Sequence, residues 1–275
     1  SENIRQLLTN LFWVCVAGIV INLIFLDLAT LTDFSARNIK GVFFQKNGLG
    51  HFSVFALFIA GFVMISRTGF YRWLSVLLLL IAARLLLLSS SMTSNLLIPI
   101  ALMTGCCSLM IQRYRFGWVF VSIGTLIGVL MIFYYWAEFF DFIGKKTTFT
   151  GRTFIWQEYW ALIEQRFWLG HGYGAYPQKL THWLKVGPHN GYIETLYYIG
   201  VIGTGLLAVI IVLMFKHWWV IVWAKRLALE SSFLISFLIM FLALNTTETY
   251  LLNRSGLYWP LFVYASLQLS WLSKL

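Results

Sequence analysis

The chain has 275 residues, of which 60% are hydrophobic, 18% aromatic and only 11% charged, with a formal net charge of +10. A soluble domain carries about a quarter charged residues, so this composition excludes a water-soluble globule. The apolar runs are about twenty residues long rather than alternating tens, which excludes a membrane β-barrel and predicts an all-α, polytopic helical membrane protein.

About eight spans are expected in chain order, at roughly 10–31, 49–66, 73–91, 95–112, 116–137, 190–215, 230–247 and 256–272. They make 1–275 a single transmembrane domain. A short polar stretch, TDFSARNIKGVFFQKNGLG, separates the first two spans. One long polar insertion, 138–189, separates the fifth from the sixth and is expected to carry short helices. Cys15, Cys106 and Cys107 all lie in apolar runs, which gives neither a disulfide framework nor a zinc site. The chain starts at Ser1 without a charged n-region and cleavage site, so it reads as a processed product or a fragment rather than a signal-peptide protein.

Tight basic turns set the orientation. RTGFYR and QRYR belong on the cytoplasmic side by the positive-inside rule, with the N-terminus inside. The opposite side then carries ten basic residues, among them Arg37, Lys40, Lys46, Arg152 and Lys179. Long loops escape the rule. The excess is either a solvated basic surface or the counterpart of an anionic ligand.

The candidate residues follow the chain. Arg37, Lys40, Lys46, Asn47 and His51 stand between the first two spans. Arg84 lies toward the outer end of the third, either snorkelling to the interface or facing a cavity. Ser89, Ser90, Ser91, Thr93, Ser94 and Asn95 form the turn into the fourth. In TGRTFIWQEYW, Thr150 is a candidate N-cap and Arg152 falls in the first helical turn. A guanidinium beside free helix N–H groups suits a phosphate, although an ordinary loop arginine has the same position. Gly170, Gly172 and Gly174 alternate with His171 and Tyr173. With no strand around them, they are read as a flexible turn that brings backbone close to a ligand or the membrane surface, rather than a nucleotide loop.

PHNGYIE, Pro188 to Glu194, places His189 and Asn190 at the start of the sixth span. A histidine at a helix start often caps or bonds backbone. Here Glu194 follows one turn later in an apolar run, where ionisable groups are costly and tend to be functional. Neutral imidazole is a competent general base near neutral pH. The outer acids, Asp33, Glu138, Asp141, Glu158, Glu164 and Glu248, are scattered, and no paired carboxylate motif or Walker loop is present. No metal site, cofactor or nucleic-acid partner is expected.

Taken together, GRTFIWQEYW, FWLGHGYGAY and PHNGYIETLYYIGVIG, with the earlier GVFFQKNGLG and LLLLSSSMTSNLL, resemble the O-antigen ligase and polymerase superfamily. The likeness is closest to its exopolysaccharide-polymerase branch. Met92 stands where the family often has a basic residue, and family members usually have further spans upstream.

The resemblance implies a multi-pass protein of the bacterial inner membrane with its active site facing the periplasm. It implies a metal-independent, inverting glycosyltransferase. Such enzymes move a glycan from undecaprenyl pyrophosphate to a hydroxyl of a glycan or lipid-linked acceptor, among membrane lipids. By the family pattern, Arg152 would bind the pyrophosphate and His189 would be the base. Asn190 would either support the base from behind or position substrate, and Arg37, Lys40 and Arg84 are candidates for a second pyrophosphate clamp. Polymerisation of O-antigen or exopolysaccharide repeats, ligation to lipid A core and transfer to protein all fit these motifs. A lipid-linked-sugar flippase would instead concentrate charge along a mid-membrane path and repeat its halves.

Overall fold

The structure is a computed structural model that describes residues 2–26, 39–114, 116–119, 121–124, 152–175, 177, 187–225, 227–253 and 256–274. Its helices are α1 (Glu2–Ile24), α2 (Lys46–Ser66), α3 (Phe70–Ser89), α4 (Met92–Arg113), α5 (Arg152–Gln165), α6 (Gly191–Trp223), α7 (Ala228–Leu244) and α8 (Tyr258–Leu272). No strand occurs among the described residues. The protein is an all-α, polytopic membrane protein. Five helices, α1 to α4 and α6, are long and apolar enough to cross a bilayer, and α7 is a shorter apolar helix. The fifth expected span, 116–137, lies largely outside the described residues, as do Arg37 and Thr150.

The chain divides into two compact units, Ser1–Cys106 and Cys107–Leu275. In the first, α2 is the central element. Its Leu49, Val54, Phe55, Ile59, Ala60 and Val63 are buried. Helix propensity does not explain such burial; an apolar surface on several faces does. Glycine permits the closest contact, since a Cβ on Gly50 would meet Ser89, Ser91 and Ser94. Those three serines, in and beside the turn into α4, are buried. They satisfy one another and the helix end, with Ser94 Oγ donating to Ser91 Oγ at 2.7 Å and Ser89 Oγ to Leu86 O at 2.7 Å. Buried Asn22 accepts from the backbone N–H of Val42 at 3.1 Å and donates to Gly18 O at 2.8 Å, which anchors the segment holding Lys40. Lys40 itself is exposed, and Arg84 is half-buried on α3.

In the second unit α7 is central, and Glu230 through Leu238 are all buried. Phe241 stacks on Phe262 of α8 with ring centroids 5.0 Å apart. Polar side chains within these helices find one another: Gln112 Nε2 donates to Ser231 Oγ at 3.1 Å, and Ser232 Oγ to Ser108 Oγ at 2.9 Å. Without water, such groups cost several kcal/mol unless paired. The short helix α5 packs on the start of α6 through Tyr159, Ile163 and Tyr197.

Candidate active site

Helix α6 is broken. Gly200 has φ 62° and ψ −171°, outside the helical region. An unbroken helix would send the N–H groups of Val201 and Ile202 to the carbonyls of Tyr197 and Tyr198. Instead Val201 N donates to Phe167 O at 2.9 Å and Ile202 N to Trp168 O at 3.2 Å. The released carbonyls of Tyr197 and Tyr198 accept from His171 N and Gly172 N, both at 2.9 Å. Two helical bonds are thus exchanged for four bonds to the segment after α5. A break in an apolar helix requires such compensation wherever its backbone groups are kept from water.

This exchange explains Gly170, and all three alternating glycines take positive φ. Gly170 has φ 72°, Gly172 98° and Gly174 75°. A Cβ on Gly170 would meet Tyr198 O and Gly200 N, and a Cβ on Gly200 would meet Trp168 O and Gly170 N. The turn brings backbone close to α6. His171 belongs to the same clasp: its ring stacks on Tyr197 at 4.5 Å and its Nε2 lies 2.8 Å from Leu162 O.

The break also divides the helix found at the expected span 190–215, which runs over Gly191–Trp223. Residues 201–223 form 23 residues of helix, about 35 Å at 1.5 Å per residue, enough by length to cross a ~30 Å hydrocarbon core. Residues 191–199 are a separate short helix, and His189 and Asn190 sit at its start.

Asn190, not His189, is the N-cap. Its Oδ1 accepts from Tyr192 N at 3.0 Å and Ile193 N at 3.1 Å. Its Nδ2 donates to Thr246 O at 3.2 Å. His189 precedes the cap at φ 47°, in the left-handed region. Histidine and asparagine enter that region more readily than most non-glycine residues. On its other side, Pro188 is buried and its carbonyl accepts from Trp156 Nε1 of α5 at 2.9 Å.

Four consecutive residues after α7 gather this site. Asn245 O accepts from Gly191 N at 2.8 Å. Thr246 O accepts from Asn190. Thr247 O accepts from Arg152 Nη1 at 2.7 Å. Glu248 Oε2 lies 3.6 Å from His189 Nδ1. The turn is held from within by Asn245, fully buried, whose Nδ2 donates to Phe241 O at 2.7 Å. Asn245 Oδ1 accepts from Tyr250 N at 2.9 Å and Leu251 N at 2.8 Å. Burial, and then the Glu248 carboxylate, push the Tyr250 hydroxyl above the usual tyrosine range, so it remains a neutral donor. Tyr173 OH reaches Leu252 O at 2.8 Å and ties the glycine turn to the same loop.

The structure therefore brings Arg152, His189 and Asn190 together. Lys40 and Arg84 belong to the first unit. The turn 245–248 went unrecognised in the sequence, where 245–247 closed an apolar span and Glu248 was one of several scattered acids. The run NTTETY directly after seventeen helical residues was the available signal. Among the described residues, no group of three or more His, Cys, Asp or Glu could hold a metal ion.

Chemically, the cluster sets a guanidinium and an imidazole on one turn. Arginine carries five N–H donors, and Thr247 O takes one from Arg152. The remainder suits an anion with several oxygens. Residues 74–208 match the family model described as O-antigen ligase. That interval contains Arg84, Arg152, His189, Asn190 and Gly200 and ends before Asn245. No curated protein matches the chain.

Proposed function

Because the chain belongs to the O-antigen ligase and polymerase superfamily, we propose that it is a membrane glycosyltransferase whose donor is a glycan on undecaprenyl pyrophosphate. The observation that carries this reading is the convergence of Arg152 and His189 on the turn 245–248. A hydroxyl of the acceptor attacks the anomeric carbon of the donor. The bond from that carbon to the pyrophosphate oxygen breaks, and its electron pair leaves with the pyrophosphate. The hydroxyl proton passes to His189. Attack opposite the leaving group inverts the configuration.

Arg152 stabilises the charge that grows on the departing oxygen, a role in which fixed cationic donors contribute several kcal/mol. Asn190 acts indirectly in this reading. Its cap fixes the backbone on which His189 stands. The leaving group already stores the driving energy, so the proposal needs neither nucleotide nor metal. The site faces the periplasm of the bacterial inner membrane, consistent with the basic turns on the other side.

Polymerisation of O-antigen or exopolysaccharide repeats is our first reading, supported by the sequence's resemblance to the exopolysaccharide-polymerase branch. Ligation to lipid A core is the second, favoured by the description of the matched family. Deleting the gene and resolving the cell's glycans by length separates them. We expect long chains to vanish while single repeat units are still made. Long lipid-linked chains that accumulate untransferred would replace the polymerase by the ligase.

A further inference from the structure

Glu248 lies outside the interval that matches the family, 59 residues along the chain from His189 and on a different element. It is nonetheless the carboxylate placed against the histidine's Nδ1, at 3.6 Å. The His189 and Glu248 side chains are 21% and 13% exposed, so both are largely shielded from water. Neither backbone is free to drift. His189 is bracketed by the Trp156 bond to Pro188 O and by the Asn190 cap. Glu248 follows buried Asn245, and its own N–H donates to Leu244 O at 3.1 Å.

A neutral imidazole has one N–H and one lone pair, and its second-nitrogen partner decides which is which. A carboxylate facing Nδ1 draws the proton there and leaves the Nε2 lone pair to receive a proton from substrate. The distance of 3.6 Å is within ion-pair range and longer than a formed hydrogen bond. Catalytic hydrogen bonds commonly tighten only when substrate binds. When His189 takes the acceptor proton it becomes a cation, and the adjacent carboxylate favours that state.

A second acid, Glu194, is within electrostatic reach of His189. It already accepts from Tyr198 OH at 3.4 Å along its own helix. At the first turn of that helix it also complements the positive N-terminus, which accounts for it structurally.

Resting on the base role proposed above for His189, we infer that Glu248 is its positioning residue. It holds the imidazole in the Nδ1–H tautomer and stabilises the imidazolium formed during transfer.

The test is a double-mutant cycle on the purified full chain, reconstituted in vesicles with the host's own undecaprenyl-pyrophosphate-linked repeat. Glutamine keeps the shape of glutamate and removes its charge. Glu248→Gln is expected to lower kcat about 10- to 100-fold, the usual worth of a partner that orients a functional histidine, with donor KM unchanged. In a His189→Ala background the same change should cost less than about twofold, because the two residues act as one unit.

Equal losses in both backgrounds would show that Glu248 supports the fold and not the histidine. A fully active Glu248→Gln enzyme would overturn the inference directly. A fully active His189→Ala enzyme would remove the base itself, which tells failure of the earlier reading from failure of this one. Ring ¹⁵N shifts of His189 in the wild-type chain, assigned by their loss in His189→Asn, give a readout that needs no functional variant. The proton should reside on Nδ1; a proton on Nε2 would reverse the assignment.

Discussion

His189→Ala is expected to keep its fold and its donor affinity while losing transfer by about 10²–10⁴-fold, the usual contribution of a general base. A sugar hydroxyl is a weak nucleophile, and its proton must leave as the new bond forms. The residual rate should rise at alkaline pH, where more of the acceptor is ionised. Alanine does add strain at φ 47°, roughly 1–2 kcal/mol for a left-handed residue with a Cβ. His189→Asn is therefore the cleaner variant. Asparagine tolerates that backbone conformation and offers a polar side chain without a basic nitrogen. If His189 only shaped the helix start, His189→Asn would be nearly fully active. We expect it to be as impaired as His189→Ala, with a thermal midpoint close to wild type. Turnover, donor affinity and midpoint at matched expression decide between the two.

Arg152→Ala is expected to reduce turnover by about 30- to 1000-fold, corresponding to roughly 2–4 kcal/mol of lost charge stabilisation. The bond from Nη1 to Thr247 O fixes where the guanidinium sits. Once that donor is engaged, the opposite edge of the planar group can still present paired N–H groups to phosphate oxygens. Lysine supplies a charge but no fork, and its single ammonium cannot hold Thr247 O and a pyrophosphate in the same arrangement. Arg152→Lys should therefore be nearly as poor as Arg152→Ala. The loss should be larger for kcat than for donor KM, since charge on the leaving oxygen grows toward the transition state. A fully active Arg152→Ala enzyme would make this residue an ordinary tether between α5 and the 245–248 turn.

The helical membrane class was legible because twenty-residue apolar runs have few alternative explanations. Arg152 and His189 were legible as candidates because charge and imidazole stand out beside apolar helices. What the sequence hid was partnership across distance. YYIGVIGTG reads as an ordinary membrane helix with tolerated glycines. The break at Gly200 exists only because Phe167, Trp168, His171 and Gly172 supply the missing backbone partners. The three alternating glycines were noticed, but the partner of Gly170 and Gly172 lay some thirty residues further on. Asn190 was recognised as polar and read as supporting the base or positioning substrate, but not as the cap, although an asparagine before a helix is a strong cap by local chemistry alone.

The turn 245–248 was the harder case. Its threonines contribute only their carbonyls to Asn190 and Arg152, and a main-chain acceptor leaves no trace in residue identity. Asn245 is different: a buried amide that makes three bonds to backbone at the end of a helix is a local organiser. Hydropathy alone merged it into the preceding span.

We propose that this protein transfers a glycan from a lipid pyrophosphate using its own cationic and basic side chains. The most direct measurement uses purified protein in vesicles, an undecaprenyl-pyrophosphate-linked repeat labelled in the sugar, and excess EDTA. Labelled glycan is expected to move to the acceptor, with undecaprenyl pyrophosphate released, at a rate the chelator leaves unchanged. Transfer that stops in EDTA and returns with Mg²⁺ or Mn²⁺ would contradict it.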